Sequence, residues 1–289
     1  MNIDPSIPLI ELKNQFALFL KKQNKSNSTL IAYAKDIDQL ISFLDKNGVK
    51  SITGVSLEHL KAYLKNLGVL SYTAKSISRK INSVKTFYRF LEKEFGLANT
   101  AASLEYPKYE NKAPRILSPL EYRALRDAAR GDTRISAIIE LFLQTGLRIS
   151  EVANLRLEDV QEESLFIRPL EGRGERIIPL NKPARAAAQK YINERPKTAT
   201  VDNVFITKNG KPFLIRNIRN SIDRYFKIAG IVEAKVNDLR HTWIAHHLQS
   251  GTSLLLVNKI AGHKRLTTTE RYLELVKNKV AEKVKLEEL

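Results

Sequence analysis

Cysteine is missing from all 289 residues. With it go disulfide bonds, thiolate nucleophiles and cysteine-bound zinc. Long apolar runs are missing too: no stretch approaches the roughly 20 residues that span a bilayer. The first residues, with Asp4, Pro5 and Pro8, lack the charged-then-apolar order of a signal peptide. A soluble protein of the cytoplasm, without a membrane partner, is therefore expected. No phosphate-cradling P-loop occurs, and no carboxylate or histidine cluster has metal-ligand spacing, so neither a cofactor nor a metal is expected. Internal repeats and low-complexity tracts are also lacking, and nothing in the composition is fibrous or disordered.

What the chain does have is an excess of positive charge. Lys and Arg number 48 against 31 Asp and Glu, a net charge of +17. The excess is spread along the chain: residues 1–108 carry 16 basic and 9 acidic residues, leaving 32 and 22 for residues 109–289. A polyanion gripped between two basic halves fits this distribution, and double-stranded DNA is the natural candidate. A ribosome-associated or merely basic protein would carry the same net charge. Hydrophobic residues make up 43%, enough for the cores of two ordinary domains.

The segment Pro107-Lys108-Tyr109-Glu110-Asn111-Lys112-Ala113-Pro114 has two prolines and neither a helical nor a strand period, as a linker should. The expected organisation is a helical domain over 1–107, a linker over 108–117 and a second, mainly helical domain with a small β-hairpin over 118–289. Ser118-Pro119-Leu120-Glu121 is a capping box that starts a new helix. Before the linker, apolar residues three and four apart predict four or five amphipathic helices, with turns at Lys22 to Asn27, Asn47-Gly48 and Asn66-Leu67-Gly68. Arg79, Lys80 and Lys85 fall near one another there, either as a phosphate-facing edge or as a solvated polar face. After the linker, helices are predicted at 134–145, 150–156, 183–194, 216–229, 238–249 and 253–260. Leu165-Phe166-Ile167 and Arg176 to Leu180 read as paired strands, with Glu171-Gly172-Arg173-Gly174 as the turn between them.

Chemistry-bearing residues concentrate in the second half. Thr145-Gly146-Leu147-Arg148-Ile149-Ser150-Glu151 follows an apolar helix stopped by glycine, which sets Arg148 at the mouth of the next helix with Glu151 in reach. Alone, such a pair is equally a helix-start salt bridge. Further on come Asn237-Asp238-Leu239-Arg240-His241, Ala261-Gly262-His263-Lys264 and then Tyr272. A guanidinium grips phosphate through two parallel hydrogen bonds, an imidazole handles protons near neutrality and a phenol can attack phosphorus. The other histidines, His59, His241, His246 and His247, read as packed or solvated, and Trp243 as core.

These segments, in this order, resemble the tyrosine recombinases, or phage integrases. Thr145 to Glu151 is similar to the family's first arginine box, Leu239-Arg240-His241-Thr242 to the second, Ala261-Gly262-His263 to the histidine box and Thr268-Thr269-Glu270-Arg271-Tyr272 to the nucleophile segment. Ser28 to Tyr33 and Ser83 to Leu91 resemble its helical core-binding domain. The resemblance implies that Arg148 and Arg240 clamp the scissile phosphate, that Glu151 supports Arg148, that His263 hydrogen-bonds the phosphate or positions the tyrosine, and that Tyr272 attacks to give a 3′-phosphotyrosyl link. It also implies a homotetramer on paired inverted-repeat sites, exchanging strands through a Holliday junction.

Two positions depart from the family pattern. Arg173 stands where a hairpin lysine usually protonates the 5′-oxygen, and arginine holds its proton too tightly for that work. Either Arg173 supports the leaving group electrostatically, or Lys182, Lys208 or Lys211 reaches in, or the reaction is slow; Lys208 and Lys211 are also candidates for DNA contact. Asn237 stands where the family generally has histidine or lysine. Both departures keep open a cleavage-impaired, architectural DNA-binding protein, and relaxation of supercoils by a monomer is a third reading. The tail from Val276 to Leu289 either folds back on its own domain or docks on a neighbouring protomer.

Overall fold

Leu9, Leu12, Phe16 and Leu20 lie along one face of helix α1 (Leu9–Lys22), and the other helices of the first half repeat that three-and-four spacing. They are α2 (Asn27–Lys46), α3 (Leu57–Val69) and α4 (Ala74–Phe95). The computed structural model describes residues 8–110, 112–170 and 172–275, and the tail from Val276 lies outside them. The chain divides into two units, Met1–Asn111 and Lys112–Leu289.

In the first unit, α1, α2 and α4 meet around Phe16, whose ring lies 5.2 Å edge-on to Phe87 and 5.5 Å from Phe90. Serine and threonine caps set the helix starts: Ser26 accepts from the Thr29 amide, Ser56 from His59 and Thr73 from Ser76. His59 returns the bond by accepting the Ser56 amide on Nδ1, so this histidine closes a capping box. The turn expected at Asn66 to Gly68 is instead helical. Leu67 is fully buried, and the extra turn of α3 carries it into the core.

Lys80 corrects the expectation of a phosphate-facing edge. Its side chain is only 4% exposed; Nζ lies 2.9 Å from Asp36 and donates to Gln39 at 2.5 Å. Asp36 is equally buried and also accepts from Ser83 at 2.7 Å and from Arg79 through both terminal nitrogens. Arg79 keeps about half of its side chain exposed, and Lys85 is half-buried, donating to the Ala102 carbonyl at 2.9 Å. The buried carboxylate thus accounts for Lys80 fully and for Arg79 in part.

The second unit is built on α6 (Thr133–Thr145), whose Ile135, Ala137, Ile138, Ile139, Leu141 and Phe142 are all buried. A helix apolar nearly all round belongs in the centre. It packs against α5 (Pro119–Ala129), α8 (Lys182–Glu194), α9 (Ile215–Ile228) and α10 (Val236–Gln249). The capping box at Ser118 forms as the spacing predicts, with the Ser118 amide donating to Glu121 at 2.8 Å. Short helices α7 (Ile149–Asn154), α11 (Leu254–Ala261) and α12 (Thr267–Glu270) complete the unit.

Strands β1 (Ser164–Ile167) and β2 (Arg176–Pro179) pair antiparallel, Ser164 opposite Pro179 and Ile167 opposite Arg176. Beyond them Leu170 and Arg173 exchange backbone hydrogen bonds, and Gly172 takes φ +69° in the turn that they close. Arg173 therefore stands one residue past the tip. Among the described residues no helix is long and apolar enough to cross a membrane.

The Asp36 cluster generates a prediction. Asp36→Ala leaves Lys80 buried without its counter-charge, and thermal or urea unfolding is expected to show a loss of about 3–5 kcal/mol, against a small effect for Lys85→Ala.

Candidate active site

The C-terminal end of α11 gathers the site. Three consecutive carbonyls there each accept one guanidinium: Ile260 from Arg176 Nε at 2.7 Å, Ala261 from Arg240 Nη2 at 2.6 Å and Gly262 from Arg148 Nη2 at 2.5 Å. The carbonyl end of a helix carries partial negative charge, which suits cations. The arginines come from three places: β2, the second turn of α10 and the cap of α7.

Glycine makes two of the approaches feasible. Gly146 ends α6 at φ +63°, and a Cβ there would meet Trp243 Cε3 at 2.3 Å, so the indole packs directly on the backbone before Arg148. The Gly146 carbonyl accepts from Arg240 Nη1, and Trp243 Nε1 donates to the Gln144 carbonyl at 2.9 Å. Gly262, at φ +64°, would place a Cβ 3.0 Å from Arg176 Cζ and 3.1 Å from Arg148 Nη1.

Glu151 balances the cluster. Arg176 grips its two oxygens from Nη1 and Nη2, each at 2.8 Å. Arg148 Nη1 donates to the same carboxylate at 2.9 Å, and the Arg148 amide does so at 2.8 Å. Although burial works against its charge, these donors hold the carboxyl down to about 2. Arg240, only 4% exposed, is pushed down to about 9 by burial and by Arg148, which still leaves it charged at neutrality. Three guanidinia and one carboxylate leave an uncompensated positive charge directed at whatever enters. Each arginine keeps further N–H groups for it.

His263 follows Gly262. Asn258 Nδ2 donates to Thr269 Oγ1 at 2.9 Å, so the Thr269 hydroxyl is free to donate to His263 Nδ1, 2.8 Å away. With the hydroxyl proton directed at Nδ1, the imidazole proton sits on Nε2 and a neutral His263 is a donor there. Burial, then Arg240 and Arg148, push its pKa down to about 3, in keeping with a neutral ring.

Tyr272 is buried in a small core with Trp243, Ile244, Val257 and Ala261. Its hydroxyl lies 2.5 Å from His241 Nδ1, and His241 Nε2 lies 2.7 Å from Asn237 Nδ2. Burial raises the phenol above its usual range, while Arg240 pulls the other way. The structure thus brings Arg148, Glu151, Arg240, His263 and Tyr272 together and joins Asn237 to Tyr272 through His241.

Other expected residues stand differently. Arg173 borders the cleft between the hairpin and α11 together with Arg176, His263 and Lys264. Lys182 is the exposed first residue of α8, and Lys208 and Lys211 are exposed on the loop before α9. Three participants escaped the sequence reading. Arg176 was legible only as a strand residue, His241 was set aside as packed, and Lys264 was passed over although it adjoins the histidine box. A Cβ at Gly172 would lie 3.7 Å from Lys264 Nζ, so this amine sits at the hairpin turn. Among the described residues no group of His, Asp and Glu could hold a metal.

The tight fit at Gly262 can be probed. Gly262→Ala forces a side chain into the left-handed region, costing roughly 1–2 kcal/mol, and drives it against two guanidinia. Differential scanning fluorimetry is expected to show the lower melting point, and phosphate-dependent chemistry at the site should fall well beyond what that loss explains.

Comparison with known proteins agrees with this geometry. The sequence profile of the Phage integrase family matches residues 110–279, and that of the phage integrase N-terminal SAM-like domain matches residues 14–94. Tyrosine recombinase XerC of Staphylococcus haemolyticus is 31% identical over 286 residues, covering 96% of each chain. XerC of Halalkalibacterium halodurans is 30% identical over 282 residues, 92% of this chain and 93% of that protein. Among solved structures, XerA recombinase matches at 26% identity with a TM-score of 0.55, over 96% of this chain and 100% of that one. A lambda integrase dimer bound to a COC′ core site shares the fold, with a TM-score of 0.74 at 17% identity over 91% and 97% of the two chains. Motifs, arginine cluster and relatives agree, and the chain belongs to the phage integrase family, the tyrosine recombinases.

Proposed function

We propose that this chain is a site-specific recombinase that cuts and rejoins double-stranded DNA through a 3′-phosphotyrosyl bond to Tyr272. The observation that carries the reading is the set of three arginines on one helix end with a buried phenol alongside. Arg148 and Arg240 take the nonbridging oxygens of the scissile phosphate and stabilise the charge that grows as phosphorus becomes pentacoordinate. Glu151 and Arg176 hold Arg148 in place, and His263 donates Nε2–H to a phosphate oxygen. Tyr272 attacks in line and the 5′-oxygen departs. One ester replaces another, so bond energy is retained for rejoining.

Residues 1–107 bind the duplex and 118–289 carry the chemistry, with 108–117 as the connection. Both halves are basic, as a clamp requires. The XerH structure on a palindromic difH substrate in a post-cleavage state, and the lambda integrase tetramer on a Holliday junction, support four protomers acting on paired inverted-repeat sites. Such a protein works where the DNA is, in the cytoplasm.

The leaving 5′-oxygen needs a proton. An arginine side chain is unsuited to donating it. Lys264 supplies it in this reading, because its ammonium sits at the hairpin turn beside His263 and lysine is a dissociable acid.

Two experiments follow. A nicked duplex containing the cleavage site, mapped by sequencing DNA trapped on the protein, should yield a covalent adduct with the wild type and none with Tyr272→Phe. Arg148→Ala should slow adduct formation roughly 10²–10³-fold, about 3–4 kcal/mol, with much less effect on binding. Binding without any adduct would favour the architectural protein, and relaxation of a plasmid lacking the site would favour the supercoil-relaxing monomer. For the leaving group, Lys264→Ala should slow cleavage about 10²-fold and recover when sulfur replaces the bridging 5′-oxygen, since a thiolate departs unprotonated. Arg173→Lys should partly restore Lys264→Ala. A sulfur-reversible loss in Lys182→Ala, Lys208→Ala or Lys211→Ala instead would move the assignment there.

A further inference from the structure

The attacking oxygen presents the opposite problem, because a phenol must lose its proton as it bonds to phosphorus. Tyr272 Oη touches one titratable side chain at hydrogen-bond distance among the described contacts, His241 Nδ1 at 2.5 Å. The ring centroids lie 5.7 Å apart and tilted by 41°, so the contact runs edge to edge through these atoms and is not a stack. Arg148 and Arg240 have no lone pair to offer, and His263 Nδ1 is taken by Thr269.

Resting on the recombinase reading above, we propose that His241 is the general base of the cleavage step, taking the Tyr272 proton on Nδ1 while Asn237 holds its Nε2. As the phenolic O–H breaks, Nδ1–H forms; the Tyr272 oxygen bonds to phosphorus, the bond from phosphorus to the 5′-oxygen breaks, and that oxygen takes a proton from the Lys264 ammonium. Rejoining reverses each transfer. The 5′-hydroxyl returns its proton to the Lys264 amine as it attacks, and the departing phenolate recovers its own from the His241 imidazolium.

Asn237 fits this role better than direct proton transfer. Its Nδ2 now faces Nε2 at 2.7 Å, the arrangement in which Nδ1–H donates to the resting phenol and holds it in place. Half a turn of the amide about Cβ–Cγ presents Oδ1 to Nε2–H. Nδ1 then has its lone pair free for the phenolic proton, and the imidazolium that forms is held at its far nitrogen.

The surroundings tie this base to bound substrate. The charged and titratable groups facing His241 are Arg240 on its own helix, Arg271 and Tyr272 on the segment after α12, and His263 after α11. Burial, then Arg240 and Arg271, push the imidazole down to about 4, which keeps it neutral and able to accept a proton, though weakly basic. A phosphate bound by Arg240 offsets that guanidinium's field and raises the basicity of His241. The phenol is thus deprotonated most readily when a phosphate is present to be attacked.

The test is single-turnover adduct formation on the nicked duplex over pH 6–10. His241→Gln keeps an amide where Nδ1 stands and cannot carry the proton. It should slow cleavage about 10²-fold at neutral pH, equally with oxygen and with sulfur as the leaving atom. Its rate should then climb with pH as hydroxide replaces the base, while the wild type stays nearly flat. Asn237→Leu, at an exposed position and harmless to folding, should lose activity in the same direction by a smaller factor, and Asn237→Asp should retain it. A wild-type rate in His241→Gln, a loss that sulfur reverses, or a loss without a change in pH dependence would overturn the proposal, the last marking His241 as packing alone. If the wild type forms no adduct, the recombinase reading itself fails.

Discussion

One helix end carries the architecture of the active site. Three successive carbonyls, those of Ile260, Ala261 and Gly262, each hold an arginine from a different element, and Glu151 sits among the same guanidinia. Without those acceptors, three like charges in a largely buried space would repel one another and lack hydrogen-bond partners. With them, the positive charge is partly balanced, each side chain is fixed in direction and N–H groups remain for a phosphate. In the proposed reaction the hydrogen bonds that hold the cluster together also position it for catalysis. Under the proposed function, the electrostatic work on the transition state is thus prepared during folding, before DNA arrives.

That arrangement depends on close backbone approach. Trp243 packs against Gly146 and two guanidinia pack against Gly262, so α6, α10 and α11 cannot separate without dismantling the cluster. Both glycines also have positive φ and end their helices. Two requirements thus coincide at each position: a left-handed backbone to stop the helix, and an absent side chain to admit a neighbour.

How much could be read from sequence follows from the range of the interactions involved. Elements set by local signals came out as expected: α5 from its capping box, α6 from its stop at Gly146, the hairpin from alternation and glycine. The end of α3 did not, because the need to bury Leu67 outweighed the turn signal at Gly68. Arg148 and Glu151 are three residues apart and their pairing was visible. Lys80 was misread because Asp36, which buries it, lies 44 residues away. His241 and Tyr272 are 31 residues apart, and Arg176 is 25 from Glu151. Spacing rules do not reach so far. The residues that carry chemistry could be named from their types and order, whereas the partners that orient them emerged only with the fold.

Asn237 and Arg173 looked like defects beside the family pattern, and in the reaction proposed above the proton-handling work falls to neighbours. Asn237 is joined to Tyr272 through His241, one turn along α10, and the hairpin turn is approached by Lys264 from the histidine box. In the proposed reaction the two dissociable groups are separate, His241 serving the attacking oxygen and Lys264 the leaving one. An in-line displacement needs that separation, because the two oxygens lie on opposite sides of phosphorus. The arginines do not exchange protons and so can stabilise charge without competing for the proton in flight. Under that proposal each proton transfer reverses on rejoining, as a reaction that must reseal every strand it cuts requires.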